Sequence, residues 1–289
     1  MLVMSIESMK RIIISLLILA GAVAAAFGKQ PQKPATITVM SYNVRYGEAK
    51  DGTNSWYYRM EANDEMFKDQ KPDVVGLQEA LSYQMNFFKE FLEGYKGVGV
   101  GRDNGKKEGE HMGVFYNTKT VKLLKWGTFW LSETPEKPSM GWDAACYRTA
   151  TWAKLKDKKT GKTFFFVNTH LDHVGVVAQE EGLKLIVSRI ASVNPENLPV
   201  IVCGDFNVVP SNPILKPLDA VMKSARKEAM KTDTDATYNA WGHKENEAVI
   251  DHIYFEGFSS CPLFEVVRKS YAGRKFISDH YPVKATLIF

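Results

Sequence analysis

Short apolar runs separated by polar turns constrain the fold of this 289-residue chain more than any other feature of its sequence. These runs are rich in Val, Ile, Phe and Tyr, and they occupy residues 36–40, 74–77, 114–116, 164–167, 200–203, 250–255 and 283–288. Runs of this length and composition are typical of β-strands. Two stretches between them repeat apolar residues at helical spacing and predict helices facing a sheet: Leu81, Met85, Phe88 and Leu92, then Leu183, Ile186, Ile190 and Val193.

The balance of these elements predicts how they pack. Strand-like runs outnumber helical stretches, and glycine-rich joints such as residues 94–101 are typical of hairpins. We therefore predict an α/β fold in which two sheets pack face to face and the helices cover the outside. A parallel, doubly wound sheet is the alternative.

The N-terminal segment resembles a signal peptide. Lys10 and Arg11 precede an uncharged apolar run at residues 12–26, which is followed by small residues and Lys29. The run is roughly 15 residues long, shorter than the ~20 residues of a membrane-spanning helix. We predict a signal peptide at 1–28, a linker at 29–35, a single domain at 36–289, and a secreted or periplasmic protein. A retained N-terminal anchor is the alternative.

The net charge leaves the substrate class open, whereas the cysteine content argues against a disulfide-rich protein. The chain has 37 Lys and Arg against 33 Asp and Glu, a net charge of +4, which neither supports nor excludes an anionic polymer as substrate. Its three cysteines form no CxxC pair, and an odd number leaves at least one thiol unpaired. A disulfide framework is therefore not expected.

Polar residues stand where the strand-like runs stop. One run after another ends or begins with a group able to bind a cation, accept a proton or hold a phosphate: Asn43, Glu79, His170, Asp205 with Asn207, Asp251, and Asp279 with His280. Strand ends gathered at one edge of a sandwich would bring these groups together on a rigid framework. We therefore expect them to form one reaction centre.

Seven short motifs carry a resemblance to a known family. They are Ser-Tyr-Asn-Val-Arg at 41–45, Leu-Gln-Glu at 77–79, Tyr-Arg-Thr-Ala at 147–150, Asn-Thr-His-Leu-Asp at 168–172, Gly-Asp-Phe-Asn at 204–207, Ile-Asp-His-Ile at 250–253 and Ser-Asp-His-Tyr-Pro at 278–282. In this order they resemble the endonuclease/exonuclease/phosphatase superfamily, over about residues 36–287. The resemblance implies a DNase I-like fold, a four-layered α/β/β/α sandwich of two mixed sheets, and a metal-dependent phosphoesterase.

The resemblance also implies a role for each motif residue. Glu79 is expected to be the main metal ligand, with Asn43 and Asp279 beside the metal. The other site residues are expected around the scissile phosphate and the attacking water: Asp205 and Asn207 positioning both, His280 paired with Asp251, His170 oriented by Glu110, and Arg148, Asn168 and Asn207 contacting phosphate. Which histidine is the base and which the acid stays open.

The chemistry of phosphoester hydrolysis agrees with these residue types. The substrate is anionic and hydroxide is scarce at neutral pH, so a hard cation and an oriented base are both needed. Mg²⁺, with Mn²⁺ as a substitute, accepts one or two carboxylates and phosphate oxygens. Arg148 can clamp two phosphate oxygens at once. No HExxH motif or cysteine cluster accompanies the histidines, which disfavours zinc.

The leading functional hypothesis is an exported nuclease, endonuclease or exonuclease, that hydrolyses phosphodiesters with a metal-activated water. A phosphatase or sphingomyelinase-like hydrolase of small or lipid phosphates is the second hypothesis, because the same residues serve both reactions. A catalytically inactive binding module is the third. We expect a phosphodiester, possibly nucleic acid, as substrate, no obligate protein partner, and a monomer.

Overall fold

The strands occupy most of the chain that the computed structural model describes, residues 35–289; the predicted signal peptide and residues 29–34 lie outside it. The strands are β1 (Thr36–Asn43), β2 (Val74–Ala80), β3 (Tyr95–Val98), β4 (His111–Asn117), β5 (Val121–Trp130), β6 (Thr149–Asp157), β7 (Thr163–His170), β8 (Val200–Asp205), β9 (Lys223–Ser224), β10 (Lys231–Thr232), β11 (Asp251–Glu256), β12 (Ser260–Val266) and β13 (Val283–Ile288). Every run predicted as a strand lies in one of them, except that Ile250 precedes β11.

Five α-helices and several short 3-10 helices lie between the strands of the described residues. They are α1 (Met60–Gln70), α2 (Ser82–Phe91), α3 (Val176–Val193), α4 (Lys216–Asp219) and α5 (Ala225–Glu228), with short 3-10 helices at Gly52–Asn54, Trp56–Arg59, Pro213–Leu215, Ala240–Gly242 and Lys244–Asn246. The helix α2 starts where Gln84 Oε1 accepts the amide of Leu81 at 2.9 Å, which satisfies one free donor of the first turn. Within residues 35–289 there is no helix both long and apolar enough to span a bilayer.

The strands form two mixed sheets. The order in the first is β10-β12-β13-β1-β2-β4-β3, and in the second β5-β6-β7-β8-β11-β9. Parallel neighbours are β1 with β2, β7 with β8, and β10 with β12, while the other pairs are antiparallel. The doubly wound parallel alternative is therefore wrong, because most strands follow one another through hairpins rather than through helical crossovers.

Three apolar clusters separate four layers. Between the sheets, Val39 and Val74 of the first pack with Phe166 and Ile201 of the second. The outer face of the first sheet packs on α1 and α2 through a cluster that includes Met40, Met66, Met85, Phe88 and Leu92. The outer face of the second sheet packs on α3 through a cluster that includes Val202, Leu183 and Ile186. The predicted sandwich and the sheet-facing helical stripes are confirmed.

The alternation along single strands explains these layers. Val39 points between the sheets and Met40 outward, and Ile201 and Val202 alternate in the same way. Successive side chains of a strand point to opposite faces, so a strand covered on both faces is apolar throughout. This is why the central runs lack a polar face and end abruptly in polar residues.

Candidate active site

Strand register brings the polar strand ends to one edge of the sandwich. His170 at the end of β7 is level with Asp205 at the end of the parallel strand β8. Asp251 at the start of β11 pairs with Asp205 because these strands run antiparallel. In the first sheet, Asn43 at the end of β1 is level with Gln78 of β2, next to Glu79. Neighbours in register thus carry neighbouring site residues.

These side chains surround an open cavity of about 480 Å³. Acidic, basic and amide groups from both sheets and several loops line it: Arg45, Glu79, Arg102, Glu110, Cys146, Arg148, His170, His173, Asp205, Asn207, Tyr238, Ile250, Asp279 and His280. Asn43 and Asp251 lie beneath this lining and are almost fully buried. Of the residues predicted from the sequence, only Asn168 is held away from the cavity.

The acidic side of the cavity is organised by Asn43. Its Nδ2 donates to Glu79 Oε1 at 2.9 Å and to Asp205 Oδ2 at 3.0 Å, and its Oδ1 accepts the amide of Arg45 at 2.9 Å. The other oxygen of Glu79 accepts the amide of Tyr46 at 2.6 Å. Asn43 therefore links the two carboxylates, one from each sheet, and sets their spacing.

Three site residues adopt backbone conformations that side chains disfavour. Arg45 has a φ of 65°, Glu79 a φ of 61° and Asn207 a φ of 55°, all in the left-handed region. For a residue with a β-carbon this costs of order 1–3 kcal/mol, and such strain concentrates at functional sites. Glu79 lies at a register shift between Leu77 and Ala80 of β2, and its carboxylate is turned toward Asn43 and the amide of Tyr46.

The donor set fits a hard divalent cation. Ligand atoms of Glu79, His170 and Asp205 lie within 4.8 Å of one another, and carboxylate oxygens are the ligands that Mg²⁺ and Mn²⁺ prefer. Asp279 faces a different neighbour, since its Oδ2 lies 3.2 Å from Nη1 of Arg45. The expected roles of Asn43 and Asp279 as metal ligands stay predictions, and Asp205 joins Glu79 as a candidate.

His280 lies on one side of Asp205 in an acidic environment. Its Nδ1 bonds Asp251 Oδ2 at 2.8 Å, and its Nε2 lies 3.6 Å from Asp205 Oδ2. Burial alone would lower the pKa of His280, but the carboxylates of Asp251 and Asp205 outweigh it and raise the pKa to about 10. His280 is therefore an imidazolium at neutral pH.

His170 lies on the other side of Asp205 in a basic environment. Its Nε2 is 3.5 Å from Asp205 Oδ2 and accepts a hydrogen bond from Asn207 Nδ2 at 3.0 Å. Burial lowers the pKa of His170 well below its usual range, and the charges of Arg148 and Arg102 lower it further. His170 is therefore a neutral imidazole.

Asp205 stands between the two histidines with an altered acidity of its own. Burial, with a smaller contribution from Asp251, raises the pKa of Asp205 to about 7, although His280 opposes the shift. Its Oδ1 accepts the amide of Asn207 at 2.9 Å, which fixes the carboxylate plane. A carboxylate with a pKa near neutrality is suited to take a proton from a water molecule.

Asp172 holds Arg148 at the basic side of the cavity. Arg148 Nε lies 3.3 Å from Asp172 Oδ2, and Arg148 Nη2 lies 3.0 Å from His173 Nδ1. Asp172 Oδ1 also accepts the amides of Val174 and Gly175. These bonds leave Nη1 of Arg148 for an anion in the cavity. Burial would raise the pKa of Asp172, but its backbone hydrogen bonds and then Arg148 lower the pKa to about 2.

Glu110 reaches the cavity but bonds an arginine rather than His170. Arg102 Nη1 donates to Glu110 Oε2 and Nη2 lies on Oε1, both at 2.8 Å. The distance from Glu110 Oε2 to His170 Nδ1 is 4.0 Å, beyond a hydrogen bond. Burial raises the pKa of Glu110 to about 7, against the charge of Arg102. The hydrogen bond by which Glu110 was expected to orient His170 is therefore absent in this structure.

Asn168 lies between the sheets instead of facing the phosphate position. Its Nδ2 donates to the carbonyls of Leu77 and Gly113, both at 2.8 Å, and its Oδ1 accepts from Gln78 Nε2 at 2.6 Å. All its strong hydrogen-bonding groups are thus engaged with the opposite sheet. Gly76 permits this close approach, because a β-carbon there would lie 2.7 Å from Asn168 Cγ. The structure therefore corrects the expectation of a phosphate contact to a bond between the sheets.

The sequence does not single out several residues of the site. Arg45 and Asp172 stand inside motifs that were quoted for other residues, so their position two residues from Asn43 and from His170 was a usable signal. Arg102 had no such signal. It faces Glu110 across a turn, where Arg102 N donates to Glu110 O at 3.0 Å. This backbone pairing places the guanidinium of Arg102 beside the carboxylate of Glu110.

Known proteins are similar to this chain in sequence and in fold. The model of the Endonuclease/Exonuclease/phosphatase family matches residues 40–280. The endonuclease/exonuclease/phosphatase from Bacteroides vulgatus is 37% identical with a TM-score of 0.82, and the alignment covers 88% of this chain and 98% of that one. The mannosyl-6-phosphatase of Bacteroides thetaiotaomicron is 34% identical with a TM-score of 0.83, covering 88% and 100%. The CCR4-Not complex 3'-5'-exoribonuclease subunit of Debaryomyces hansenii is 24% identical over 62% of this chain and 26% of that protein.

Proposed function

Because this chain belongs to the endonuclease/exonuclease/phosphatase family and is a phosphoesterase, we propose that its substrate is a small phosphate monoester of the sugar-phosphate class. The convergence of Arg45, Arg102 and Arg148 on one cavity carries this proposal. A phosphate monoester carries nearly two negative charges at neutral pH, whereas a diester carries one. Three guanidinium groups that line one cavity favour the more highly charged group.

The size of the cavity and one relative support the same substrate class. About 480 Å³ is within the range of small-molecule sites, and a single sugar phosphate fits such a volume. The Bacteroides thetaiotaomicron protein that is 34% identical over nearly the whole domain is a mannosyl-6-phosphatase. The exoribonuclease relative is less similar and shares a smaller part of this chain. The nuclease favoured from the sequence is the competing outcome of the experiment below.

A divalent cation completes the site in this proposal. Glu79 would hold it, with Mg²⁺ as the expected ion and Mn²⁺ as a substitute. When bound, such an ion neutralises phosphate charge and lowers the pKa of a water molecule. Asn43 bonds both Glu79 and Asp205, and so keeps the metal ligand at a set distance from the proton acceptor.

The chain's own residues divide the remaining work between them. Asp205 accepts a proton from the attacking water, as its raised pKa and central position allow. His280, already protonated and held by Asp251, stabilises the charge that develops on phosphate. Asn207 donates to His170 Nε2 and so orients that ring, and Arg148 offers Nη1 to a non-bridging oxygen.

The experiment is a substrate comparison at fixed pH with Mg²⁺. Phosphate release is measured from mannose 6-phosphate and glucose 6-phosphate, and hydrolysis from bis-p-nitrophenyl phosphate, single-stranded RNA and DNA, and sphingomyelin. We expect kcat/KM to be largest for the sugar phosphates. A larger value for either nucleic acid would replace this proposal with a nuclease, and no hydrolysis of any of them would favour a binding module.

A second measurement tests the metal. Activity is expected to disappear in EDTA and to return on adding Mg²⁺ or Mn²⁺. Turnover that is undiminished in the chelator would contradict the cation. Export through the N-terminal signal and a monomeric state remain predictions, checked by N-terminal sequencing of the mature protein and by its mass in solution.

A further inference from the structure

One hydrogen-bond donor of the site has no acceptor. Asn207 Nδ2 donates both to His170 Nε2 and to the carbonyl of Leu171, each at 3.0 Å, so the amide orientation is fixed. Since Nε2 of His170 is an acceptor, the neutral ring carries its proton on Nδ1. Among the described residues this buried Nδ1 has no hydrogen-bond partner. A buried donor left unpaired is costly, so the arrangement requires an explanation.

The natural acceptor for that donor is held by another group. Glu110 Oε2 lies 4.0 Å from His170 Nδ1, and closing this gap by roughly 1 Å would form a hydrogen bond. Both oxygens of Glu110 are instead engaged by Arg102, at 2.8 Å each. Arg102 therefore determines where the Glu110 carboxylate stands.

The backbone of Arg102 is anchored while its side chain faces the cavity. Its amide donates to Glu110 O at 3.0 Å, and its carbonyl accepts Nε1 of Trp130 at 2.7 Å. The guanidinium lines the same cavity as Arg148, Asn207 and Glu79. An anion that enters the cavity thus meets the guanidinium of Arg102, while the main chain of Arg102 stays held.

We propose that Arg102 is a substrate-responsive positioning residue: in the free enzyme it holds Glu110 away from His170, and it exchanges Glu110 for an anionic oxygen of the bound substrate. Glu110 then accepts the proton on Nδ1 of His170 and orients the ring. The inference rests on the proposed phosphate-ester function for the identity of that anion. Binding of substrate would thereby complete the site.

The exchange conserves charge-assisted hydrogen bonds. Arg102 loses a carboxylate and gains a phosphate oxygen, both acceptors that match its planar fork. Glu110 loses a guanidinium and gains the only unpaired donor identified on His170. No buried charge is left without a partner in either state, so the two arrangements can be close in free energy.

The first test observes His170 directly by NMR of ¹⁵N-histidine-labelled protein. The resonance of its Nδ1 proton is assigned by its loss in His170→Gln. In wild type we expect this proton to shift downfield when inorganic phosphate is added. In Arg102→Met the Nδ1 proton should resonate at the downfield position even without phosphate. In Glu110→Gln the same proton should not reach the downfield position, with or without phosphate. An Arg102→Met spectrum that matches ligand-free wild type would overturn the proposal.

The second test separates KM from kcat on a phosphate monoester. Arg102→Met should raise KM about tenfold or more, the scale of one lost charge-assisted hydrogen bond, with its main effect on KM. Glu110→Gln should mainly lower kcat, and the double variant should show the kcat of Glu110→Gln. A loss of kcat in Arg102→Met as large as in Glu110→Gln would mean that Arg102 holds Glu110 in its working position, against the proposal.

Controls keep the two proposals separate. Arg268→Met removes an arginine from a half-exposed surface pair with Asp233 and serves as the matched variant. Arg102→Lys keeps the charge, so partial recovery of KM is expected. The comparison of ligand-free Arg102→Met with wild type needs no substrate, so it decides the role of Arg102 even where the substrate panel rejects phosphate monoesters.

Discussion

His280 and His170 stand at almost equal distances from one oxygen of Asp205, 3.6 and 3.5 Å, yet they hold opposite charge states. His280 has a carboxylate at 2.8 Å on its far nitrogen, and this raises its pKa. His170 is buried near Arg148 and Arg102, which lower its pKa, and its far nitrogen is unpaired. The comparison shows that the groups behind each ring, and not the distance of the ring from Asp205, set the charge of the ring.

This difference assigns roles that the motifs left open. A histidine that is protonated before the reaction cannot take a proton from water, so His280 acts as a cation or a proton donor. A neutral histidine carries no net charge, and its orientation and basicity depend on the group bonded to its second ring nitrogen. Asp205 lies between them and is the group that accepts the proton.

The largest expected effect comes from removing the carboxylate that both histidines share. Asp205→Asn should lower kcat by between about 10² and 10⁴, since a general base contributes on that scale. The measurement is kcat on one monoester, with circular dichroism to verify folding. Asp219→Asn, which changes a half-exposed surface carboxylate, is the matched control. A loss below tenfold in Asp205→Asn would remove it as the base.

The next effect tests whether His280 depends on Asp251. His280→Gln should lower kcat by on the order of 10²-fold, and adding Asp251→Asn should cost little more, because residues acting as one unit are not additive. The three variants are compared in a double-mutant cycle. Fully multiplicative losses would show that the two residues act separately, and the account of the charge on His280 would fail.

The basic side should respond mainly in binding. Arg148→Lys keeps the charge but loses the planar fork between Asp172 and the cavity, so KM should rise roughly tenfold with a smaller change in kcat. Steady-state kinetics measure both, and Arg268→Lys on the surface controls for the substitution itself. An unchanged KM would show that Arg148 does not contact the phosphate.

The opposite charge states predict opposite effects of pH on stability. The pKa of His280 is raised in the folded protein, so its contribution is fully present below the ordinary value of about 6.5 and is lost as pH rises through about 10. The pKa of His170 is lowered, so stability falls as pH drops below about 6.5, where the unfolded chain binds the proton. Urea unfolding in EDTA measures both.

Two variants isolate these terms. The free energy of unfolding that His280→Gln removes should be larger at pH 7 than at pH 10. In His170→Gln the loss of stability on acidification should be reduced. Differences from wild type that do not change with pH in either variant would contradict the assigned charges.

The smallest effect on activity is expected at Asn168. Asn168→Ala removes the hydrogen bonds to Leu77 O, Gly113 O and Gln78 Nε2, so the free energy of unfolding should fall by about 1–3 kcal/mol. Its kcat should change far less than that of Asp205→Asn. A loss of activity as great as in Asp205→Asn, in a folded protein, would return Asn168 to the phosphate site.

The layers and the edge that carries the site could be predicted from the sequence because their causes are local. A strand covered on both faces is apolar along most of its length, as in residues 200–203, and polar groups gather where the cover ends, as at Asp205. The stripe at Met85, Phe88 and Leu92 likewise reports one covered helix face. Neither inference needs knowledge of distant residues.

The partners of the site residues could not be obtained in this way. Asn168 lies in a motif beside His170, but its neighbours are Leu77, Gln78 and Gly113 of the opposite sheet. Since successive residues of a strand face opposite sides, one position decides between the cavity and the space between the sheets. Arg102 contacts Glu110 through the backbone pairing of a turn, and no sequence motif indicates that pairing.

The sequence by itself determined the residue types at the strand ends, the two-sheet sandwich and the phosphoesterase chemistry. Only the tertiary structure decided the charges, because a pKa depends on burial and on groups within a few ångströms, whatever their separation along the chain. Asp251 reaches His280 across 29 residues, and Asn43 reaches Asp205 across 162. Two histidines that look equivalent in their motifs therefore became a cation and a neutral ring.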